Sequence, residues 1–173
     1  MVKPTCLFIG RFQPYHNGHH LVVQGMTKLC GKIIIGIGSS DRSRSAENPY
    51  SAQERKEMIQ AALQDEDLIP MFDINFIELP DHADDATWVK QVMELAGHIN
   101  AVWTGNEQTK KCFEGKLPIK AIKEVPGLSS TAVRTLVKTG GDWSSKVPDE
   151  VARSMREIGL DRSVIPLRAS RVE

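Results

Sequence analysis

Two histidines three residues apart, His16 and His19, flank Gly18 within LFIGRFQPYHNGHH at positions 7–20. An apolar run ends in Gly10, a short turn carries Arg11, Gln13 and Pro14, and the histidines follow. Gly10 lets a ligand approach the backbone at a strand end. A helix opening near Gly18 points free amides and a partial positive charge at the same place. Two imidazoles there can donate hydrogen bonds to phosphate oxygens, and Arg11 adds a fixed charge. The turn therefore reads as an anion site, with phosphate the best fit. It is neither a Walker loop, which needs GK[ST], nor a GxGxxG fingerprint. A metal reading of the pair is poor, since there is no HExxH and no obvious third ligand. The plain alternative is two solvent histidines in a turn.

The elements that must hold this turn can be read in order. Residues 6–9 form a short apolar run suited to a buried strand. A helix over 19–29 follows, with Leu21, Val22, Gly25, Met26 and Leu29 on one face and Gly31 as its stop. KIIIGI at 32–37 is β-branched and continuously apolar, which favours a central parallel strand. Strand, helix and strand make a right-handed βαβ unit. After a polar loop over 38–49 with Arg42 and Arg44, Ser51 and Glu54 form a capping box. The helix it opens runs to about Leu63 and buries Met58, Ile59, Ala62 and Leu63. Residues 72–79 read as a third strand, 80–85 as an acidic loop and 87–95 as a helix opening with Trp88. Residues 99–104 make a fourth strand, with Trp103 assigned to the core, ending in Thr104-Gly105-Asn106. A short helix at 107–113 and a weak fifth strand at 119–122 follow.

From about residue 129 the chain is helical. Ser129-Ser130-Thr131 caps a helix to about Lys138, and Pro148 with Asp149 and Glu150 opens another that ends near Gly159. Residues 168–173 are expected to fray. This alternation gives an α/β fold: a Rossmann-like, doubly wound, mostly parallel five-stranded sheet with helices on both faces. Ligands in such sheets bind at the carboxyl ends of the strands, near the topological switch point. That edge gathers four polar loops, at 10–20, 38–49, 80–88 and 104–106.

At 173 residues, the chain fits one domain over 1–173. Equal counts of 22 basic and 22 acidic residues argue against nucleic-acid binding and against a polybasic membrane anchor. No signal peptide is evident, and no window approaches the roughly 18 apolar residues of a membrane span. Cys6, Cys30 and Cys112 have no metal-type spacing, and the apolar settings of Cys6 and Cys30 suggest buried thiols in a reducing, cytoplasmic setting.

GRFQPYHNGHH resembles the signature of the nucleotidyltransferases whose hallmark is H-x-G-H after the first strand. Its GRFQPxHxGH form is most similar to archaeal-type nicotinamide-nucleotide adenylyltransferases. The resemblance continues through IGIGSS, NPYSAQER at 48–55, TWV at 87–89, TGN at 104–106 and SSTAVR at 129–134, across about four fifths of the chain. It implies transfer of the adenylyl group of ATP to nicotinamide mononucleotide, giving NAD and pyrophosphate. Attack is direct and in line, without a covalent intermediate, and Mg²⁺ arrives on the ATP phosphates. By the match, His16, His19 and Arg134 are catalytic. Gly10, Arg11, Phe12, Gln13, Ser129, Ser130, Thr131 and Arg134 bind ATP. Asp81, Trp88, Thr104, Gly105 and Asn106 bind the acceptor, with the Trp88 indole as a platform for a cationic pyridinium. No dedicated protein metal site is implied, and a homo-oligomer is the default.

The chain departs from the family pattern at several positions. Glu47 stands where the family often has a basic residue, and SSTAVR replaces the usual SGTE-x-R, with Ser130 for Gly and Ala132 for Glu. Val125-Pro126-Gly127 replaces a basic and aromatic stretch, and the loop around Asp84 and Asp85 lacks an asparagine. Two alternatives stay open: adenylyl or cytidylyl transfer to another acceptor such as phosphopantetheine, and a non-catalytic nucleotide-binding module on the same fold.

Overall fold

The computed structural model describes residues 2–160; the expected fraying of 168–173 lies outside them. Five strands form one parallel sheet: β1 (Thr5–Gly10), β2 (Lys32–Gly38), β3 (Asp73–Leu79), β4 (Ala101–Thr104) and β5 (Ile119–Ala121). Their order is β3-β2-β1-β4-β5, and every pairing is parallel. Between them run the helices α1 (Asn17–Leu29), α2 (Ala52–Asp65), a one-turn α3 (Leu68–Met71), α4 (Asp85–Ala96) and α5 (Glu107–Phe113). Helix α6 (Ser130–Thr139), a 3₁₀ turn (Ser144–Lys146) and α7 (Asp149–Ile158) complete the described chain.

The two-residue period of the strands splits the core into two layers. Cys6, Phe8, Ile33, Ile35 and Ile37 face one side, where Val23 and Met26 of α1, Met58 and Ile59 of α2, and Val151 and Met155 of α7 cover them. Leu7, Ile9, Ile34 and Val102 face the other, under Val89 and Val92 of α4 and Phe113 of α5. Each such buried aliphatic side chain contributes about 1.5–3 kcal/mol. That double cover is why β2 is apolar at successive positions rather than at alternate ones.

The helix ends follow local chemistry. The Ser51 hydroxyl accepts the Glu54 amide at 3.1 Å and Glu54 Oε2 accepts the Ser51 amide at 2.9 Å, so the expected capping box forms. Asp84 caps α4 by accepting from the Thr87 amide at 2.8 Å, and Asn106 caps α5 by accepting from the Thr109 amide at 2.9 Å.

Three expectations need correcting. Helix α1 starts at Asn17, two residues earlier than its apolar pattern suggests, because His16 acts as its cap. Its buried side is therefore His20, Val23, Met26 and Thr27, whereas Leu21 is 60% exposed and Leu29 56% exposed. Cys6 and Cys30 are buried as expected but are joined as a disulfide. Their pairing removes the inference of a reducing compartment from cysteine usage. Trp103 is only partly buried, with the Lys120 ammonium 5.9 Å over its ring. Among the described residues, no helix is long and apolar enough to cross a membrane.

Strand β1 lies at the centre, with β2 and β3 on one side and β4 and β5 on the other. The chains leaving β1 and β4 therefore diverge, and the crevice of this sheet opens between them.

Candidate functional site

Strand β1 delivers the turn 11–15 to that crevice. Phe12 adopts a left-handed backbone conformation, with φ of 52°. It turns its ring inward, 5.2 Å from Phe8 and 4.8 Å from His19. A side chain at Gly10 would meet that ring at 2.9 Å, so the close packing of Phe12 requires glycine there. Gln13 is wholly buried: its Nε2 donates to the Tyr50 carbonyl at 2.9 Å and its Oε1 accepts the Tyr50 amide at 3.0 Å. The side chains of Phe12 and Gln13 thus hold the turn's shape, while the exposed Arg11 is left for a ligand.

The two histidines are fixed through the same atom of each ring. His16 Nδ1 accepts the amides of Gly18 at 3.1 Å and His19 at 3.4 Å. His19 Nδ1 accepts the His16 amide at 3.2 Å, closing a capping box made of imidazoles. The rings stack at 3.7 Å between centroids, tilted by 22°. A side chain on Gly18 would strike His16 Cε1 at 2.9 Å, which explains the glycine between them. An Nδ1 that accepts is unprotonated, so each neutral ring carries its proton on Nε2. Burial lowers the His16 pKa to about 4. Burial, and then the neighbouring His16, hold that of His19 well below its ordinary value. At neutral pH the site therefore presents two uncharged Nε2–H donors side by side.

Helix α6 forms the facing wall. Ser129 caps it by accepting the Ala132 amide at 3.0 Å. Ser130 Oγ donates to the Pro14 carbonyl at 2.8 Å, and Arg134 donates to the Gln13 carbonyl at 2.8 Å. Both bonds lock the start of α6 onto the first turn. Arg134 also donates to Thr131 Oγ1 at 3.3 Å. Its pKa is lowered, first by desolvation and then by the charge of the nearby Arg11 guanidinium.

One cleft of about 660 Å³ collects these groups. Gly10, Arg11, Phe12, Gln13, His16 and His19 line one side of it. Ser129, Ser130, Thr131 and Arg134 line another, and Gly105 and Asn106 follow from the end of β4. Ile122, Val125 and Leu128 add an apolar wall that sequence reasoning did not single out. Its volume suits a nucleotide-sized ligand.

Three expected residues stand apart from this lining. Thr104 is buried, and its hydroxyl accepts the Asn106 amide at 3.1 Å. Asp81 accepts from Ser39 Oγ at 2.9 Å and from Arg42 Nε at 3.1 Å, just past the ends of β2 and β3. Trp88 is half-buried, its ring edge-on to Phe113 at 5.9 Å. The start of α4 still reaches the rim, because Gln108, which lines the cleft, donates to Asp85 Oδ2 at 2.8 Å.

Sequence reasoning also passed over Arg55. It is wholly buried and donates to four carbonyls: Arg11 and Gly38 at 2.7 Å, and Ser39 and Ser51 at 3.1 Å. Desolvation lowers its pKa to about 10, so it keeps its charge at neutral pH behind the turn. Asn48 and Tyr50 back the same turn, Asn48 through a 3.5 Å contact from Arg11. The available signal was an arginine on the apolar stripe of α2, three and four residues before Met58 and Ile59.

The chemistry this supports is anion handling: two neutral N–H donors, two helix N-termini and a guanidinium on either side of one cleft. Comparison with known proteins agrees. Residues 7–136 match the cytidylyltransferase-like family model. The chain is 38% identical over 161 residues to a nicotinamide-nucleotide adenylyltransferase of Methanothrix thermoacetophila, covering 90% of this chain and 91% of that one. It is 34% identical over 167 residues to a nicotinamide-nucleotide adenylyltransferase of Thermococcus kodakarensis, covering 90% and 85%. A bifunctional NMN adenylyltransferase/ADP ribose pyrophosphatase from Francisella tularensis, complexed with AMP and a manganese ion, shares the fold. The TM-score is 0.70 at 22% identity, and the match covers 90% of this chain but only half of that one.

Proposed function

The chain belongs to the cytidylyltransferase-like family, among relatives that are nicotinamide-nucleotide adenylyltransferases, and on that footing we propose how its cleft works. It transfers the adenylyl group of ATP to nicotinamide mononucleotide, yielding NAD and pyrophosphate. A phosphate oxygen of the mononucleotide attacks the α-phosphorus of ATP; the new P–O bond forms as the bond to the β-phosphate oxygen breaks. The observation that carries this reading is the pair of Nε2–H donors at the start of α1, facing the start of α6 and Arg134 across one cleft.

Each residue then has a role. His16 and His19 donate to oxygens of the α-phosphate, where negative charge builds in the transition state. Neutral donors suit this task, since they orient the phosphate without transferring a proton. Arg11 and Arg134 converge on the same phosphates, and the charge of the triphosphate relieves their mutual repulsion. Arg134 follows the departing pyrophosphate. The first turn of α6, at Ser130 and Thr131, offers backbone amides to the β- and γ-phosphates. The Ser130 hydroxyl donates to the Pro14 carbonyl and so shapes the site, whereas that of Ser129 caps α6 as an acceptor and keeps its O–H for a phosphate oxygen. Gly10 and the backbone of Phe12 and Gln13 complete the ATP side.

The acceptor lies toward Gly105 and Asn106, with the start of α4 at the rim. Trp88 would carry the pyridinium on its exposed part, and Asp81 would act from the same edge. Gln108, bridging to Asp85, supports this direction. A divalent cation, Mg²⁺ by expectation, comes with ATP as part of the substrate. Arg11, Arg134 and the two imidazoles suit phosphate oxygens, while the carboxylates of Glu107 and Glu124 line the β4 and β5 side of the cleft. Action in the cytoplasm as a homo-oligomer belongs to the same proposal, and sedimentation would read the assembly. A coupled pyrophosphate assay across acceptors tests the reading: release should depend on nicotinamide mononucleotide, and release with phosphopantetheine alone would replace it.

A further inference from the structure

Behind the two cleft histidines lies a second polar chain that the reaction as described does not use. Tyr15 is wholly buried, and its hydroxyl meets His20 Nδ1 at 3.0 Å. His20, the residue after His19, points into the molecule and is itself buried. Its Nε2 lies 2.9 Å from Glu66 Oε1, in contact though not aligned for a hydrogen bond. Glu66, just past the end of α2, also accepts from Gln24 Nε2 at 2.6 Å, one turn further along α1. A carboxylate at Nε2 favours a proton there, which leaves Nδ1 to accept from the Tyr15 hydroxyl.

The chain ends at the catalytic pair. The Tyr15 ring stacks on His19 at 5.6 Å with a 22° tilt, and His19 stacks on His16 at 3.7 Å with the same tilt. Tyr15, His19 and His16 thus form one stack, with Phe12 edge-on to His19 at 4.8 Å. A phenylalanine and a leucine at positions 15 and 20 would fill this space with no buried polar atom to satisfy. Dispersion fixes separations but lets rings slide, whereas a hydrogen bond at the far end of Tyr15 anchors the axis of its ring. The capping bonds fix His16 and His19 at Nδ1; the back face of the His19 ring is set by Tyr15.

We propose that Tyr15, His20 and Glu66 are positioning residues that hold the His19 ring, and through it the His16 ring, with both Nε2–H groups aimed at the transferring phosphate. This rests on the adenylyl-transfer reading above. The chain couples the turn to the end of α2, so a displacement there reaches the donors.

The test uses Tyr15→Phe, His20→Leu and His20→Gln in the full chain. Each is followed by kinetics, melting temperature and the ¹⁵N signals of the histidine rings. Tyr15→Phe keeps the stack but frees its outer end; His20→Leu keeps the volume but removes both contacts. Each should lower kcat about tenfold or more while leaving the KM for ATP within about twofold, since misplacement of order 1 Å can cost about a hundredfold. Each should also shift and broaden the ring ¹⁵N signals of His16 and His19, as the rings lose a single orientation while their Nδ1 atoms still accept the capping amides. His20→Gln can accept from Tyr15 through Oε1 and face Glu66 through Nε2, and it should recover most of the loss. The proposal is overturned if kcat is unchanged, if it falls without a change in the ring signals, or if His20→Gln behaves as His20→Leu. Wild-type protein with no turnover would instead reject the functional reading, while the ring signals still test the chain.

Discussion

Nδ1 of His16 accepts the His19 amide, and Nδ1 of His19 accepts the His16 amide, so the two residues cap the helix they begin and fix each other's tautomer. One pair of bonds serves both fold and chemistry. Any substitution here therefore has two effects, and a suitable choice of side chain separates them.

His16→Ala removes both the cap and the donor. Loss of a cap costs about 0.5–2 kcal/mol, so the melting temperature should fall together with kcat. His16→Asn can cap through its side-chain oxygen but has no Nε2–H in the cleft. It should restore most of the melting temperature while kcat stays depressed. Recovery of both would mean that His16 acts only as a cap.

The pH dependence of stability follows from His16 being held neutral, with its pKa lowered by burial from 6.5 to about 4. Above the unfolded value neither state binds the proton, and stability is full. As pH falls from about 6.5 toward 4, the unfolded chain protonates first and stability drops. Below the folded value both states are protonated and this loss levels off. His19 adds in the same direction. Urea midpoints measured between neutral pH and pH 4 should decline in the wild type and decline less in His16→Asn. Parallel declines would contradict the assignment.

Arg55 should matter for stability more than its distance from the reacting atoms suggests. Arg55→Met takes the guanidinium from the carbonyls of Arg11 and Gly38, whereas those of Ser39 and Ser51 keep the backbone amides of Arg42 and residue 55 at 3.0 Å. An unsatisfied buried polar group costs about 1–3 kcal/mol, so urea denaturation should show a loss of at least that size. Saturating ATP should offset part of it by binding only the folded form. A loss below about 0.5 kcal/mol would place Arg55 among ordinary surface substitutions.

Trp88 tests the acceptor side. Its ring packs on Phe113 yet keeps an exposed part. Trp88→Ala should raise the KM for the mononucleotide more than that for ATP. Equal changes in both would assign the ring to packing alone.

The fold was largely legible because its signals are local and repeated. KIIIGI announced a strand covered on both faces, and Ser51 with Glu54 announced a helix start. The turn at 7–20 read as an anion site because glycine, arginine and histidine there have few other shared uses, and the structure brings those residues to one cleft. What escaped reading was contact made at a distance. Histidine is not a usual cap, so α1 appeared to begin two residues late and its buried side appeared rotated toward Leu21. Ser129 and Ser130 read as phosphate ligands in sequence, and the structure adds what the sequence does not show: one also caps α6 and the other docks it. The disulfide joins β1 to the residue after α1, and nothing in the spacing of Cys6 and Cys30 marks them as neighbours. Arg55 and Gln13 reveal their roles only once the chain has brought three loops together.

Pyrophosphate release by the wild type and by His19→Ala, with ATP present and nicotinamide mononucleotide added or withheld, tests the central claim most directly. The wild type should release pyrophosphate only with the mononucleotide present, one for each NAD formed. His19→Ala should fall by about a hundred- to a thousandfold at a comparable folded fraction. Near-normal turnover in His19→Ala, or ATP binding by the wild type without mononucleotide-dependent release, would contradict the account.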